Sequence, residues 1–516
     1  MTNGISQPSA AIQLVDINKR FGAVHANKDI NLTINKGTIH GIVGENGAGK
    51  STLMSIIYGF YQADSGQILV DGKEVKITDS RAAISHGIGM VHQHFKLVEN
   101  FTVLENVMLG AEGGALLGTS RRQVKAELQR IAAEYELQVD PSAIIEELPV
   151  GLQQRVEILK ALYRKAQILI LDEPTGVLTP TEADHLFGIL RRLRDEGKTV
   201  VLITHKLREI MAATDAVSVM RRGELIQTSP TADVTTEQIA EAMVGRRVLL
   251  RVNKPEGNPG AVVLDVANLN VRDARGVLMV KDLSFSVRAG EIVGIAGVAG
   301  NGQTELLEAL AGTRVADSGV VMIDGQVMPQ DPSILRAAGL AHVPEDRHAT
   351  GLILPFTMSE NASLGYHRRP EFGTGPMLDK PALRENAERY IRDYDVRPPH
   401  AEMRASMFSG GNQQKIVLAR EIEHNPKALL VGQPTRGVDI GAIEFIHRRL
   451  IELRQQQKAI LLVSVELDEI RALADRILVM FDGRIVGEAS PDATETELGL
   501  LMAGVSEDKV SEGVDA

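Results

Sequence analysis

The chain has 516 residues, of which 44% are apolar, and a formal net charge of −11. This length is too great for one hydrophobic core and predicts at least two domains, while the acidic balance argues against a general nucleic-acid binder. The absence of cysteine excludes disulfide partners, and no uncharged apolar stretch approaches the ~18 residues that a membrane span needs.

The first informative segment runs from a predicted strand into a predicted helix. The apolar run 39–43 indicates a buried strand, and residues 50–58 indicate a helix. The glycines of the loop between them let backbone N–H groups approach phosphate, Lys50 supplies charge, and the Ser51 hydroxyl suits Mg²⁺. A chance glycine-rich turn is the alternative. The residues that fit the P-loop pattern, with the nucleotide-binding residue that follows them, are Gly44, Glu45, Asn46, Gly47, Ala48, Gly49, Lys50, Ser51 and Thr52.

Two later strands are predicted to end in groups that suit ATP hydrolysis. Residues 168–171 indicate a central strand that leads to Asp172, suited to hold Mg²⁺, and Glu173, suited to orient or deprotonate water. Residues 200–203 indicate another strand that leads to His205, a candidate γ-phosphate sensor. Alone, each group fits a solvated strand end equally well. The P-loop upstream favours the catalytic interpretation.

The chain consists of two homologous halves. Residues 36–44 reappear as 289–297, at an offset of 253 (297 minus 44), and the later offset is 260 (432 minus 172). A few residues are therefore inserted between Asp324 and Phe408. We expect one domain at 11–250, a turn-rich linker at 251–260, a second domain at 261–505, and a disordered polar tail at 506–516.

A segment of the second half, Phe408-Ser409-Gly410-Gly411-Asn412-Gln413, resembles the LSGGQ signature of ATP-binding-cassette (ABC) ATPases. Ser409, Gly410, Gly411 and Asn412 are predicted to bind nucleotide at a helix start. The resemblance extends from about residue 12 to residue 505. It implies an α/β fold with two tandem cassettes, each with a RecA-like P-loop core, an antiparallel β-subdomain and a helical subdomain.

The same resemblance implies how the site works. The two halves sandwich ATP head to tail, so that each P-loop faces the signature of the other half. Glu173, His205 and Gln93 are the implied catalytic residues, and Ser51, Gln93 and Asp172 are the implied Mg²⁺ ligands.

The departures from the family pattern fall in one of the two composite sites. The first half has Pro149 and Val150 where the signature belongs. The second half replaces the P-loop lysine, the aspartate, the glutamate, the histidine and the loop glutamine by Gln303, Gly432, Gln433, Val465 and Glu345. We therefore expect one working catalytic site per chain. The second site is either decayed or a structural clamp that still binds nucleotide.

Adenine recognition is predicted in one half only. The resemblance implies that Phe21 stacks on the base, although a simple core phenylalanine is the alternative, and residues 271–276 of the second half contain no aromatic. His92 and His94 flank Gln93 at strand spacing. Without a third ligand, solvated or packed histidines are favoured over a metal pair.

Fused tandem ATPases with one degenerate site resemble the ATP-binding subunits of bacterial importers for simple sugars and nucleosides. Residues 434–439 are similar to that branch, and residues 92–95 with Gly432 and Gln433 look more like its nucleoside-type members. This resemblance implies ATP and Mg²⁺ as cofactors, and two transmembrane permeases with an extracytoplasmic solute-binding protein as partners. The permeases are expected beside Gln93 and Glu345.

The resemblance also implies a peripheral protein at the cytoplasmic face of the inner membrane, and residues 1–10 lack the features of an export signal. The alternative is a soluble tandem ABC ATPase that acts on ribosomes. Such factors resemble the chain less, because they usually keep both sites intact and carry a long charged linker.

Overall fold

The computed structural model describes residues 9–22, 24–92, 95–110, 121–175, 178, 180–247, 253–298, 300–373 and 377–505. The chain divides into two compact units, residues 1–248 and residues 249–516. Gln93, His94, the first two residues of the predicted linker and the predicted tail 506–516 lie outside the described residues, so the predictions about them stay predictions.

Unit 1 alternates strands and helices, as the apolar runs predict. Its strands are β1 (Ala10–Phe21), β2 (Val24–Asn35), β3 (Ile39–Gly44), β4 (Ser65–Val70), β5 (Lys73–Val75), β6 (Ile88–Val91), β7 (Ile168–Asp172), β8 (Thr199–Thr204), β9 (Ala216–Arg221) and β10 (Glu224–Pro230). Its helices are α1 (Lys50–Ile57), α2 (Ser80–Ser85), α3 (Val103–Met108), α4 (Arg121–Glu134), α5 (Val150–Tyr163), α6 (Pro180–Asp195), α7 (Leu207–Ala213) and α8 (Thr236–Val244).

Two sheets and a helical group build unit 1. The larger sheet has the order β10-β9-β3-β8-β7-β6 and is parallel except for β10. Its strands β3 and β8 are fully buried, which explains their continuous apolar runs. The smaller sheet, β2-β1-β4-β5, is antiparallel and shares one apolar core with α1. Helices α3, α4 and α5 pack on one another.

Unit 2 repeats this order of elements. Its strands are β11 (Val262–Arg272), β12 (Leu278–Arg288), β13 (Glu291–Ala296), β14 (Ser318–Ile323), β15 (Gln326–Val327), β16 (Leu340–Val343), β17 (Ala428–Gly432), β18 (Ala459–Val463), β19 (Arg476–Phe481) and β20 (Arg484–Ala489). Its helices are α9 (Gln303–Leu310), α10 (Pro332–Ala338), α11 (Met358–Ala362), α12 (Lys380–Asp393), α13 (Gly410–Ile422), α14 (Ile440–Gln455), α15 (Leu467–Leu473) and α16 (Glu495–Met502).

The sheets of unit 2 match those of unit 1. The larger sheet has the order β16-β17-β18-β13-β19-β20, and the smaller, antiparallel sheet has the order β12-β11-β14-β15. Helices α11, α12 and α13 pack together as the helical group. The predicted fold, two cassettes that each combine a P-loop core, an antiparallel sheet and a helical subdomain, is confirmed.

Residues 253–260 lie against unit 2 without regular secondary structure. The Arg454 Nη1 atom donates a hydrogen bond to the Pro255 carbonyl at 2.8 Å, and the Arg454 guanidinium pairs with Asp475 at 2.6 Å. Lys254 adds a longer ion pair with Asp475 at 3.8 Å. This segment therefore forms part of the packing of unit 2.

The sheet order explains where a site can form in unit 1. Strands β3, β8 and β7 are parallel neighbours, so their carboxyl ends meet at one edge of the sheet. The P-loop follows β3, Asp172 ends β7, and His205 follows β8. Ligands of open α/β sheets bind at that edge.

Candidate functional site

The P-loop of unit 1 curls because two of its glycines adopt a backbone that other residues avoid. Gly47 has φ 81° and Gly49 has φ 99°. A Cβ atom on Gly49 would lie 2.8 Å from the Asn27 Nδ2 atom and would also meet the Ala26 carbonyl. Asn27 is fully buried and donates a hydrogen bond to the Gly49 carbonyl at 3.1 Å. Asn27 was not predicted as a neighbour of the P-loop, because nothing in its local sequence connects it with the loop.

Lys50, the first residue of α1, folds back over the loop. Its side chain is buried, and its ammonium donates hydrogen bonds to the carbonyls of Gly44 at 2.6 Å and Glu45 at 3.1 Å. Burial lowers the pKa of Lys50, and the negative charges of Glu173, Asp172 and Glu45 oppose that shift. The ammonium therefore lies within electrostatic reach of both carboxylates that follow β7.

The two carboxylates at the end of β7 have different environments. Burial and the charge of Glu173 raise the pKa of Asp172 to about 6, and Lys50 only partly offsets this. Burial also acts to raise the pKa of Glu173, but a hydrogen bond and charge from His205, with the charges of Lys50 and Lys206, hold it below its usual value. Glu173 is therefore kept ionised, and the charge of Asp172 would gain from a nearby cation.

His205 contacts Glu173 directly. The imidazole Nδ1 atom lies 2.9 Å from the Glu173 Oε1 atom. Because an ionised carboxylate only accepts hydrogen bonds, Nδ1 carries the proton in this pair. This contact joins the ends of β7 and β8, and it fixes the orientation of the Glu173 carboxylate.

The donor set at this edge suits Mg²⁺. Ser51 presents an exposed hydroxyl on the first turn of α1, and Asp172 presents a carboxylate at the end of β7. Hard oxygen ligands of this kind are those that Mg²⁺ prefers. Thr52 follows on the same turn. The third implied ligand, Gln93, lies outside the described residues.

Phe21 ends β1 with its ring partly open to solvent. The residue is 43% exposed, and its ring centroid lies 5.1 Å from that of Tyr61 in an edge-on arrangement. The Lys19 ammonium lies 5.5 Å from the Phe21 ring centroid. A phenylalanine this exposed is not a core residue, so the simple core alternative is wrong. Tyr61 was not predicted as a neighbour, because 40 positions (61 minus 21) separate it from Phe21.

The signature segment of unit 2 begins helix α13. Ser409 is the N-cap residue, and its hydroxyl accepts a hydrogen bond from the Asn412 side chain at 2.8 Å. A Cβ atom on Gly410 would lie 2.6 Å from an Arg347 Nη atom, and one on Gly411 would lie 2.9 Å from the Asp439 carboxylate. A Cβ atom on Gly410 would also lie 2.7 Å from the Gly437 carbonyl oxygen, so backbone packing favours glycine at that position.

The degenerate signature of unit 1 begins helix α5 in the same way. Pro149 is its N-cap residue and provides no side-chain cap. A Cβ atom on Gly151 would lie 2.7 Å from the Glu182 carboxylate. The helix start is thus kept, while the hydroxyl that Ser409 supplies in unit 2 is absent.

The P-loop of unit 2 has the same backbone conformation as that of unit 1 but lacks the charged lysine. Gly300 and Gly302 have φ 91° and 101°. Gln303 is buried and donates a hydrogen bond to the Val298 carbonyl at 3.1 Å. Glu345 accepts a hydrogen bond from the Thr304 hydroxyl at 2.6 Å. Burial raises the pKa of Glu345, and hydrogen bonds with Thr304 and Gln433 oppose the shift.

Comparison with known proteins agrees with this geometry. The family model described as "ABC transporter" matches residues 27–176 and 280–436. The nucleoside import ATP-binding protein of Lactococcus lactis subsp. cremoris is 48% identical over 495 residues, which cover 96% of this chain and 98% of that protein. The guanosine import ATP-binding protein of Bacillus subtilis is also 48% identical, over 496 residues that cover 96% of this chain and 97% of that protein.

A third relative is the glucose import ATP-binding protein of Haloferax volcanii, which is 44% identical over 525 residues that cover 96% of each chain. Matches of this length include both cassettes and the segment between them. The chain therefore belongs to the ABC transporter family, as an ATPase subunit that carries two ATP-binding cassettes in one polypeptide.

Proposed function

We propose that this chain hydrolyses ATP to drive import of a nucleoside through two partner permeases, supplied by an extracytoplasmic solute-binding protein. The observation that carries the proposal is the 48% identity, across 96% of the chain, with proteins named for nucleoside and guanosine import. The relative named for glucose import is 44% identical, so a simple sugar is the second candidate solute. These relatives give no support to the ribosome-binding alternative.

The hydrolytic residues lie in the P-loop of unit 1 and at the ends of β7 and β8, and the signature residues 409–412 of unit 2 bind nucleotide. Lys50 binds the terminal phosphates, while Ser51 and Asp172 would hold Mg²⁺ with Gln93. When bound, Mg²⁺ neutralises charge on the β- and γ-phosphate oxygens. Phe21 stacks on the adenine, a contact that contributes about 0.5–1.5 kcal/mol.

Glu173 positions and deprotonates the attacking water. The observed Glu173–His205 contact supports this role, because His205 holds the carboxylate in one orientation and helps to keep it ionised. Lys50 of unit 1 binds the γ-phosphate, and Ser409 with its helix start in unit 2 also binds nucleotide. Asn412 orients the Ser409 hydroxyl through its 2.8 Å hydrogen bond.

No helix in the described parts of the chain is long and apolar enough to cross a membrane. We place the chain at the cytoplasmic face of the inner membrane, held there by its permeases. The permeases dock beside Gln93 in unit 1 and Glu345 in unit 2, so that a conformational change driven by ATP is transmitted to the membrane.

The test is to extract the tagged full chain from its native membrane with the permeases attached and to reconstitute the complex in lipid vesicles. ATP hydrolysis is measured with the solute-binding protein and guanosine, adenosine, uridine, glucose or ribose. We expect nucleosides to stimulate hydrolysis and to accumulate inside the vesicles, and sugars to do neither. The Glu173→Gln complex is the matched control for uptake without ATP hydrolysis.

Two results would contradict the proposal. Stimulation by sugars alone would assign the solute to the other class. Recovery of the chain with ribosomes, and with no membrane protein, would remove the transport function while leaving the ATPase assignment in place.

A further inference from the structure

Gly432 and Glu345 form a complementary pair in unit 2. Gly432 ends β17, where unit 1 has Asp172 at the end of β7. A Cβ atom on Gly432 would lie 2.5 Å from the Glu345 Cγ atom and 3.0 Å from the Glu345 backbone nitrogen. The Glu345 side chain therefore occupies the space that a strand-end aspartate would need. Strands β16 and β17 are neighbours, which brings the two positions together.

The Glu345 carboxylate is directed at the second P-loop. It accepts the hydrogen bond from the Thr304 hydroxyl at 2.6 Å, and Thr304 is the counterpart of Ser51. It is also hydrogen-bonded to Gln433. The Gln433 Oε1 atom in turn accepts a hydrogen bond from the Val465 backbone at 3.3 Å. Three substituted positions of unit 2 are thus joined in one network around a single carboxylate.

We propose that Glu345 replaces the missing strand-end aspartate, so that Glu345 and Thr304 bind a divalent cation together with a nucleoside triphosphate that unit 2 retains without hydrolysing it. The proposal goes beyond the hydrolytic function, in which unit 2 contributes only its signature. It selects the nucleotide-binding clamp over decay for the second site.

The rest of the second P-loop fits this role. Gln303 and Lys50 are equally buried, each with 6% of its surface exposed. The Gln303 amide donates a hydrogen bond to the Val298 carbonyl at 3.1 Å. Val298 is the counterpart of Glu45, whose carbonyl accepts a hydrogen bond from Lys50 at the same distance. The amide is thus a neutral substitute for the ammonium.

Charge also fits. In unit 1, the single positive charge of Lys50 lies among the carboxylates of Glu45, Asp172 and Glu173, so negative charge is in excess. In unit 2, Gln303, Gly432 and Gln433, the counterparts of Lys50, Asp172 and Glu173, carry no charge. Negative charge is again in excess, because Glu345 and Glu305 outnumber the nearby Arg436. A carboxylate and a hydroxyl of this kind are a usual protein contribution to a Mg²⁺–nucleotide site. Cation affinity is therefore kept, although the carboxylate ligand has moved from the end of β17 to Glu345.

Hydrolysis is not kept. Gln433 cannot accept a proton from water, and Val465 cannot orient a neighbour as His205 orients Glu173. Retention of nucleotide without turnover follows from these two substitutions.

The test counts Mn²⁺ ions, a paramagnetic substitute for Mg²⁺, bound to the isolated full chain with ATP, by electron paramagnetic resonance. Bound ATP is counted in parallel. Glu173→Gln is the parent, so that the first site retains its nucleotide. We expect two ions and two ATP per chain in the parent, and one ion per chain after Glu345→Gln, which keeps side-chain size.

One ion per chain in the parent would overturn the proposal, and so would two ions in the Glu345→Gln variant. Two ATP with one ion in the parent would overturn the metal-binding role of Glu345 specifically. Because no permease or solute is present, these outcomes are independent of whether the chain imports nucleosides.

Discussion

Glu173 and Gln433 occupy the same backbone position in the two units. Their φ angles are 47° and 45°, and each donates its backbone N–H to the neighbouring strand, at 2.8 Å to the Ile203 carbonyl and at 2.8 Å to the Val463 carbonyl. The left-handed backbone after the strand is therefore common to both units. At this position the two residues differ only at the end of the side chain, where Glu173 has a carboxylate oxygen and Gln433 has an amide nitrogen.

That relationship makes Glu173→Gln the most informative single change. The amide fits the same backbone, so we expect ATP binding to be kept, while turnover falls about 10²-fold or more because the base is lost. ATP hydrolysis and nucleotide binding are measured on the same preparation. Glu74→Gln, on the exposed strand β5, is the control and is expected to leave both unchanged. A variant that retained more than a tenth of the wild-type rate would show that Glu173 is not the base.

The two signatures are compared with a matched pair of substitutions. Gly411→Asp and Gly151→Asp each place a carboxylate beside a resident one, Asp439 or Glu182, so their local crowding is similar. We expect Gly411→Asp to abolish hydrolysis, because it introduces negative charge beside the residues proposed to bind the nucleotide, Ser409 and Gly410. Gly151→Asp is expected to keep most of the activity. Thermal unfolding of both variants checks that each is folded, and equal loss of activity would contradict the head-to-tail pairing.

Restoring one charge to unit 2 is expected to strengthen binding without creating an active site. Gln303→Lys supplies the missing ammonium, but Gln433 and Val465 remain, and residues that act as a unit in phosphoryl transfer are not additive. In a Glu173→Gln background, the double variant is expected to bind ATP more tightly and to show no more hydrolysis than its parent. Clear hydrolysis in the double variant would refute this account of the second site.

His40 makes the stability of unit 1 depend on pH. It is buried on β3, its Nε2 atom lies 2.8 Å from the Ser218 hydroxyl, and burial lowers its pKa to about 4. The unfolded chain binds the proton near pH 6.5, so the stabilisation is complete above that pH and is lost as the pH falls toward 4. The loss amounts to at most about 3 kcal/mol.

The corresponding measurement is urea unfolding at pH 7, 6 and 5. The free-energy difference between the wild type and His40→Gln is expected to shrink as the pH falls, because only the wild type must protonate a buried imidazole on unfolding. His86→Gln, at an exposed position, is the control whose curve should run parallel to that of the wild type. A His40→Gln curve parallel to the wild type would show that burial does not depress this pKa.

The predicted strands and P-loop helix agree closely with the structure. The prediction for residues 39–43 corresponds to β3, that for 50–58 to α1 and the cap residue Tyr58, and that for 168–171 to β7. These elements could be read from the chain because buried parallel strands are continuous apolar runs, and because a P-loop is a local pattern of glycines with one lysine. The duplication of the chain and the differences between its two sets of motifs could also be predicted, because each motif is a local pattern of residues.

The sequence by itself determined which chemical groups each half possesses, since each motif lies within a few consecutive residues. Only the tertiary structure decided which of them meet. Thr304 and Glu345 are 41 positions apart, Glu345 and Gly432 are 87 apart (432 minus 345), and Glu173 and His205 are 32 apart. No local pattern encodes these contacts, because they arise from the order of strands in the sheet, which places the carboxyl ends of β16 and β17, and of β7 and β8, side by side.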